Sequence, residues 1–238
     1  MDTSLEIAER AGPGLRPLSV LDLGLIGYSE CWELQKRIAA SVATGNAPST
    51  LLLLEHPHTY TCGRRGGRDH ILIGEDDLAR RGITVLDVDR GGDVTYHGPG
   101  QLVAYPIIDL NRTTLGLDYP GYVRTLERVL LGALANFSIK AYQLEGYSGA
   151  WADRGGQWEK IAAIGVKVDG RGITSHGIAL NVATDLRYFS YIVPCGITDK
   201  GVTSMNRVAD VNFDIEEVKV AFVSQFAQVF GFAPSNRG

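Results

Sequence analysis

Strands, helices and hairpins interspersed along the chain predict a mixed α/β (α+β) fold in a single domain, and three stretches carry that prediction. Arg90–Gln101, read as Arg-Gly-Gly-Asp-Val-Thr-Tyr-His-Gly-Pro-Gly-Gln, follows a β-branched run (Ile83-Thr-Val-Leu-Asp-Val) and precedes another (Leu102-Val-Ala-Tyr-Pro-Ile-Ile). It therefore reads as strand, Gly-Gly turn, short strand, Gly-Pro-Gly turn, strand. Glu159–Val168 and Gly172–Val182 read as two strands, and the joint Asp169-Gly170-Arg171-Gly172 is short enough to make them a hairpin. Between these β regions Asp118 opens a helix to about Phe137, with Pro120 tolerated in its first turn.

The remaining elements fall into place around these. Residues 1–16, polar and rich in glycine and proline, read as a flexible tail, and 17–238 as one catalytic-sized domain without an internal linker. Leu18 to Leu23 is a first strand. Ser29 would cap a helix to about Thr44, its apolar face formed by Trp32, Leu34, Ile38, Ala39 and Val42. Thr50–Glu55, with four consecutive leucines, is a strand buried on both faces. Glu55–Arg68 reads as a loop, Asp76–Arg81 as a short helix stopped by Gly82, and Tyr147–Asp153 as a strand. Residues 183–210 show little regular pattern, and Asp214 with Glu217 suggests a capping box for a helix to about Phe230.

With 45% hydrophobic and 21% charged residues the chain can build a sizeable core. No apolar run has the length of a membrane span, and the N-terminus lacks a signal-peptide pattern. Cysteines at 31, 62 and 195 have neither disulfide nor zinc spacing, which points to a reducing compartment and no metal site. A net charge of −4 argues against nucleic acid as a partner.

Several residues are candidates for chemistry. Gly91 and Gly92 would let a ligand lie against bare backbone N–H groups, and Pro99 would fix a turn that holds His97. Lys160 opens a strand of small residues, where strict alternation sets Lys160 and Ala162 opposite Ile161 and Ala163. Cys195, between Pro194 and Gly196, is the best-placed nucleophile, with the Gly196 N–H able to hold a developing oxyanion. Cys31 on a helix and Cys62 in the loop are weaker candidates. Arg64, Arg65 and Arg68 form a basic loop that could dock an anionic partner, with Arg90 at the same mouth.

Four ordered motifs resemble one family. Arg90 to Gln101, then Lys160-Ile-Ala-Ala-Ile-Gly165, Ser175-His-Gly-Ile-Ala-Leu-Asn181 and Pro194-Cys-Gly-Ile197 are similar to those of the octanoyltransferases, or lipoyl(octanoyl) transferases, of protein lipoylation. Leu54-Glu-His-Pro57, Thr61-Cys-Gly-Arg64 and Gly201-Val-Thr-Ser204 extend the resemblance, which departs only at Ser148-Gly-Ala-Trp151 and Cys62. It implies the fold of biotin and lipoate protein ligases without their ATP chemistry. It also implies Cys195 as the acyl-accepting cysteine and Lys160 as its partner. Arg90, Gly91, Gly92, Asp93, Val94, Thr95, Tyr96 and His97 are the implied substrate loop. Ala163, Ile164 and Gly165 are a second binding segment, and Gly177, Ile178 and Ala179 a third. The implied reaction takes octanoyl from the phosphopantetheine of acyl carrier protein, with no further cofactor. The acceptor is a lysine of the lipoyl domains of 2-oxoacid dehydrogenases or of glycine cleavage H protein, in the cytoplasm, with no membrane partner. His97 and His176 are rival bases to Lys160. An ATP-dependent lipoate or biotin ligase, or a non-catalytic acyl-binding module, are the competing expectations.

Overall fold

The structure is a computed structural model and describes residues 15–113, 115–116, 118–194 and 200–236. The chain runs β1 (Arg16–Leu25), α1 (Tyr28–Ala43), β2 (Ser49–Glu55), β3 (Thr59–Cys62), α2 (Glu75–Arg80), β4 (Thr84–Asp87), β5 (Val94–His97), β6 (Gln101–Ile107) and α3 (Tyr119–Ala135). It continues through β7 (Tyr142–Leu144), β8 (Tyr147–Arg154), β9 (Gln157–Val168), β10 (Thr174–Asn181), β11 (Gly201–Val202), α4 (Met205–Ala209), α5 (Ile215–Phe230) and β12 (Phe232–Asn236). A large mixed sheet has the order β12-β1-β2-β6-β10-β9-β8-β7, with β11 added alongside β9. A small sheet, β4-β3-β5, stands apart from it.

The leucine run of β2 shows how the layers form. Leu51 and Leu53 point to the side covered by α3 and α5, whereas Leu52 and Leu54 point to the side carrying α1. Period-two alternation sends neighbours to opposite faces, so a run with no polar residue belongs in a sheet covered on both sides. Each fully buried leucine contributes about 1.5–3 kcal/mol. α3 starts where Asp118 accepts the Gly121 N–H at 2.8 Å, capping the first turn. The β9–β10 hairpin turns where Asp169 Oδ1 accepts the N–H groups of Arg171 and Ile173 at 2.9 and 3.0 Å.

Four expectations need correction. Arg16, expected to end the tail, belongs to β1: it pairs in register with Phe232, and its guanidinium lies 4.5 Å from that ring. Ser29 does not cap α1. The helix begins after Gly27 without a side-chain cap, and its entry is held by the Ile26 N–H on Glu55 O at 3.0 Å. The stretch 55–68 contains β3, buried along its whole length because β4 and β5 pair with it on both edges. Within 183–210, a 3-10 turn at Leu186–Tyr191, β11 and α4 supply the order that lacked a visible pattern. Among the described residues no helix is long and apolar enough to cross a membrane.

Candidate active site

A cavity of 460 Å³ lies between the α1 side of the large sheet and the loop leading into β5. Lys160, Ala163, Ile164 and Gly165 of β9 line one wall, and His176, Gly177, Ile178 and Ala179 of β10 continue it. Arg90, Gly92, Asp93, Thr95 and His97 close the opposite side, with Tyr28, Tyr105, Arg65 and Gly146-Tyr147-Ser148 at the ends.

Lys160 reaches this cavity because β9 carries one extra residue. Ala150 pairs with Ala162 but Trp151 pairs with Lys160, so Ile161 has no opposite number in β8. Such a bulge re-aims the side chains beyond it. Ile161 and Ala162 both enter the core, and Lys160 shares the cavity wall with Ala163 and Gly165 rather than a face with Ala162, as unbroken alternation would require. Its ammonium lies 4.8 Å from the centroid of Trp151, in cation–π contact. On β8, Gly149 sits one residue before the bulge at φ +106°, where a Cβ would come within 2.3 Å of Ala162 O. Buried Glu127 of α3 holds the Gly149 N–H on Oε1 at 3.1 Å and takes Arg124 and Gln143 on Oε2, both at 3.0 Å. β11 then lies along the lysine strand: Val202 pairs with Lys160, and the Thr203 N–H donates to Lys160 O at 2.9 Å.

Arg90 is inside the protein, only 6% exposed, and not at the mouth. It donates to Thr61 O at 2.6 Å, Asp93 O at 2.7 Å, Gly91 O at 2.9 Å and Thr61 Oγ1 at 2.9 Å. These acceptors are carbonyl or hydroxyl oxygens, and among the described residues no carboxylate neutralises the guanidinium. Arg90 thus ties the glycine loop to β3 and leaves a positive charge on the cavity wall. The expectation that Gly91 offers its N–H to a ligand fails, because that group donates to Val166 O at 2.9 Å. Val94 and Tyr96 face away from the cavity into the core of the small sheet, since β5 alternates and Thr95 and His97 take the inner side. The bare faces of Gly165 and Gly177 serve close packing rather than ligand space. A Cβ on Gly165 would meet Arg90 Cδ at 3.0 Å, and one on Gly177 would meet Ala104 O at 2.1 Å.

Aromatic and imidazole side chains close the inner end. His97 Nδ1 donates to Gln101 Oε1 at 2.9 Å, because the Gln101 amide nitrogen is committed to Tyr96 O and Asn181 Oδ1. Burial and the neighbouring His56 hold His97 well below the usual imidazole range. His56 is lowered to about 4 by burial, with Nδ1 on Ile26 O at 2.7 Å and Nε2 on the Tyr105 hydroxyl at 2.9 Å. His176 is also lowered to about 4, chiefly by burial, although it bonds Asp89 at 2.8 Å. The two rival bases are therefore neutral near pH 7 and weakly basic in the resting site.

Among cysteines, burial pushes the Cys31 thiol up to about 12 and raises that of Cys62, so neither favours a thiolate. Cys195 lies outside the described residues. Tyr28 and Tyr105 escaped the sequence reading because a tyrosine beside an apolar run looks like core. Gly146 and Tyr147 had a signal in the turn preceding the Ser148-Gly-Ala-Trp151 motif.

A mixed sheet with a lysine strand and a glycine loop around one acyl-sized cavity defines a catalytic domain of the lipoyl ligase type. The family model for the lipoyl protein ligase A/B catalytic domain matches residues 27–227. The octanoyltransferase of Solibacter usitatus is 47% identical over 218 residues, covering 92% of this chain and 95% of that protein. That of Chloroflexus aurantiacus is 44% identical over 220 residues, covering 92% and 97%. In fold, the chain is similar to the lipoate protein ligase of a bi-partite archaeal lipoylation system from Thermoplasma acidophilum, with a TM-score of 0.69 at 18% identity over 94% of this chain and 88% of that one. The chain belongs to the octanoyltransferase family: it is an acyltransferase that moves octanoyl groups in lipoate biosynthesis.

Proposed function

We propose that octanoyl passes through a thioester on Cys195, from the phosphopantetheine of octanoyl-acyl carrier protein to a lysine of a lipoyl-accepting domain, in the cytoplasm. The acceptors are the lipoyl domains of 2-oxoacid dehydrogenases or glycine cleavage H protein. The observation that supports this reading best is the pairing of β11, which follows the cysteine segment, directly alongside Lys160 at the cavity wall. The raised thiols of Cys31 and Cys62 support it by elimination.

An ordinary thiol is only a few per cent thiolate near neutrality, and an ammonium close by increases that fraction. Lys160 in that role promotes attack of Cys195 on the incoming thioester carbonyl. The carrier thiolate leaves and takes its proton from the Lys160 ammonium, so one thioester replaces another. Lys160 can then accept a proton from the attacking amine. No ATP enters, because a thioester is already activated toward an amine. The cavity walls from Ala163 and Ala179 exclude water from the chain, and each buried methylene contributes about 0.8 kcal/mol.

Intact mass after mixing with octanoyl-carrier protein, without ATP, tests the reading. One hydroxylamine-labile octanoyl adduct is expected, absent from Cys195→Ala. An adduct on Cys31 or Cys62, or none until ATP and free octanoate are supplied, overturns it and favours a ligase.

A further inference from the structure

The inner end of the cavity holds two hydrogen-bonded chains whose protons can be counted. His56 Nδ1 faces a carbonyl, Ile26 O, at 2.7 Å and must carry hydrogen, so neutral His56 accepts the Tyr105 hydroxyl at Nε2, 2.9 Å away. In the second chain His176 Nε2 faces Asp89 Oδ1 at 2.8 Å and must also carry hydrogen, so Nδ1 accepts the Tyr28 hydroxyl at 3.1 Å. A proton added at the Tyr28 oxygen can pass along this second bond to His176 Nδ1, while the hydrogen on Nε2 moves to Asp89. This chain opens outward through Asp89, whose other oxygen holds Lys167, and both side chains are about a third exposed. Tyr28, Tyr105 and His176 line the same cavity as Lys160.

We propose that Tyr28, His176 and Asp89 form the exit for the second proton released when the acceptor lysine is acylated. This rests on the Cys195–Lys160 reading. The acceptor arrives as an ammonium and becomes an amide, losing two protons. Lys160, having given its proton to the departing carrier thiolate, takes one of them. The C–N bond forms, the C–S bond breaks, and the Cys195 thiolate leaves beside the Lys160 ammonium. The other proton, which must depart before the nitrogen can attack, has no place on Lys160. It passes through Tyr28 to His176 and from Asp89 to water. Acylation of Cys195 needs no such exit, since it exchanges one thiol for another.

The groups facing His176 suit transient occupation. Tyr28 and Gln35 come from α1, Asp89 and Arg90 from the segment after β4, Lys167 from β9, and His97 and Tyr105 from β5 and β6. Burial, Arg90 and Lys167 disfavour the imidazolium, whereas Asp89 favours it, so a proton placed there is driven onward.

Single-turnover measurements on the full chain test this by separating the half-reactions. Asp89→Asn can still accept the His176 N–H but cannot carry a proton away. It should acylate Cys195 from octanoyl-carrier protein at close to the parent rate and discharge to an acceptor domain at least about ten-fold slower near pH 7. The deficit should close as pH rises, because the amine then arrives neutral. Hydroxylamine, neutral near pH 7, should discharge variant and parent alike. Tyr28→Phe cuts the same chain at its cavity end, should behave identically, and covers a failure of Asp89→Asn to fold. Parent-like discharge in both variants overturns the exit, as does a loss that persists at high pH or extends equally to hydroxylamine. If the parent itself forms no Cys195 adduct, the thioester reading falls and the exit falls with it.

Discussion

At His56, His97 and His176 the fold holds imidazoles neutral that would be largely protonated in mildly acidic water. For His56 and His176 the folded value falls from 6.5 to about 4, with burial the largest cause in each. Between those limits the unfolded chain binds protons that the folded chain refuses. Their contribution to stability is therefore complete above about pH 6.5 and declines as pH falls toward 4. The two together amount to a loss on the order of 5 kcal/mol. Urea unfolding at a series of pH values should show this decline, and His56→Gln should remove about half of it. Stability that is flat from neutral pH down to 4 would mean the imidazoles are solvated. Lys160 makes a second residue-scale prediction. Arginine keeps the charge beside the thiolate but cannot act as a base, so Lys160→Arg should acylate slowly and then stall with octanoyl on the enzyme. Steady turnover by Lys160→Arg, with no accumulated adduct, would transfer the base role to a histidine.

Among elements, the β8–β9 pair shapes the candidate site, because the bulge at Ile161 turns Lys160 into the cavity. Gly149→Ala would put a Cβ 2.3 Å from Ala162 O at φ +106°. We expect a stability loss on the order of 2 kcal/mol or more and, in the folded fraction, a fall in both half-reactions as the bulge relaxes. Gly146→Ala is the comparison: also at positive φ, +81°, but with nothing within 4 Å of a new Cβ, it should cost less and leave more activity. Equal effects from the two would show that Gly149 matters only through its own backbone angle and not through the bulge. The strands themselves were legible from β-branched runs and the Asp169–Gly172 joint. The bulge was not, because it exists only in the pairing between β8 and β9, and one strand's pattern yields only period two. β3 was hidden for a related reason: its four residues sit between His-Pro and Gly-Arg, and their burial comes from the strands on either side. Arg90 looked like a surface arginine because sequence does not reveal that Thr61 and Asp93 would offer it carbonyls. The proposed link between Lys160 and Cys195 comes from the family resemblance alone, since no local pattern joins positions 35 residues apart.

Over the whole molecule, charge opposes the proposed partner: acyl carrier proteins are acidic and this chain carries −4. Attraction must then come from a local patch, and the structure narrows the candidates. Arg90 is buried, and Arg68 is held at 3.1 Å by Asp87, an exposed pair whose charges largely cancel at a distance. Arg64 and Arg65 remain exposed on the loop that packs on the glycine segment, through Arg64 N–H to Arg90 O at 3.1 Å and Arg65 N–H to Gly92 O at 3.0 Å. Arg65 also lines the cavity. Charge on these two side chains can therefore steer a carrier toward the opening through which its acyl group must enter. Exposed charges are screened over about 8–10 Å at physiological salt, so the gain lies in association rate more than in affinity. Arg64→Glu with Arg65→Glu should raise the Michaelis constant for octanoyl-carrier protein while leaving a small octanoyl thioester nearly as good a substrate. The carrier-dependent rate of the parent should fall with rising salt, and the double variant should lose most of that dependence. Superimposable salt curves for parent and variant would place the dock on another face of the molecule, with Arg64 and Arg65 reduced to supports for the glycine loop.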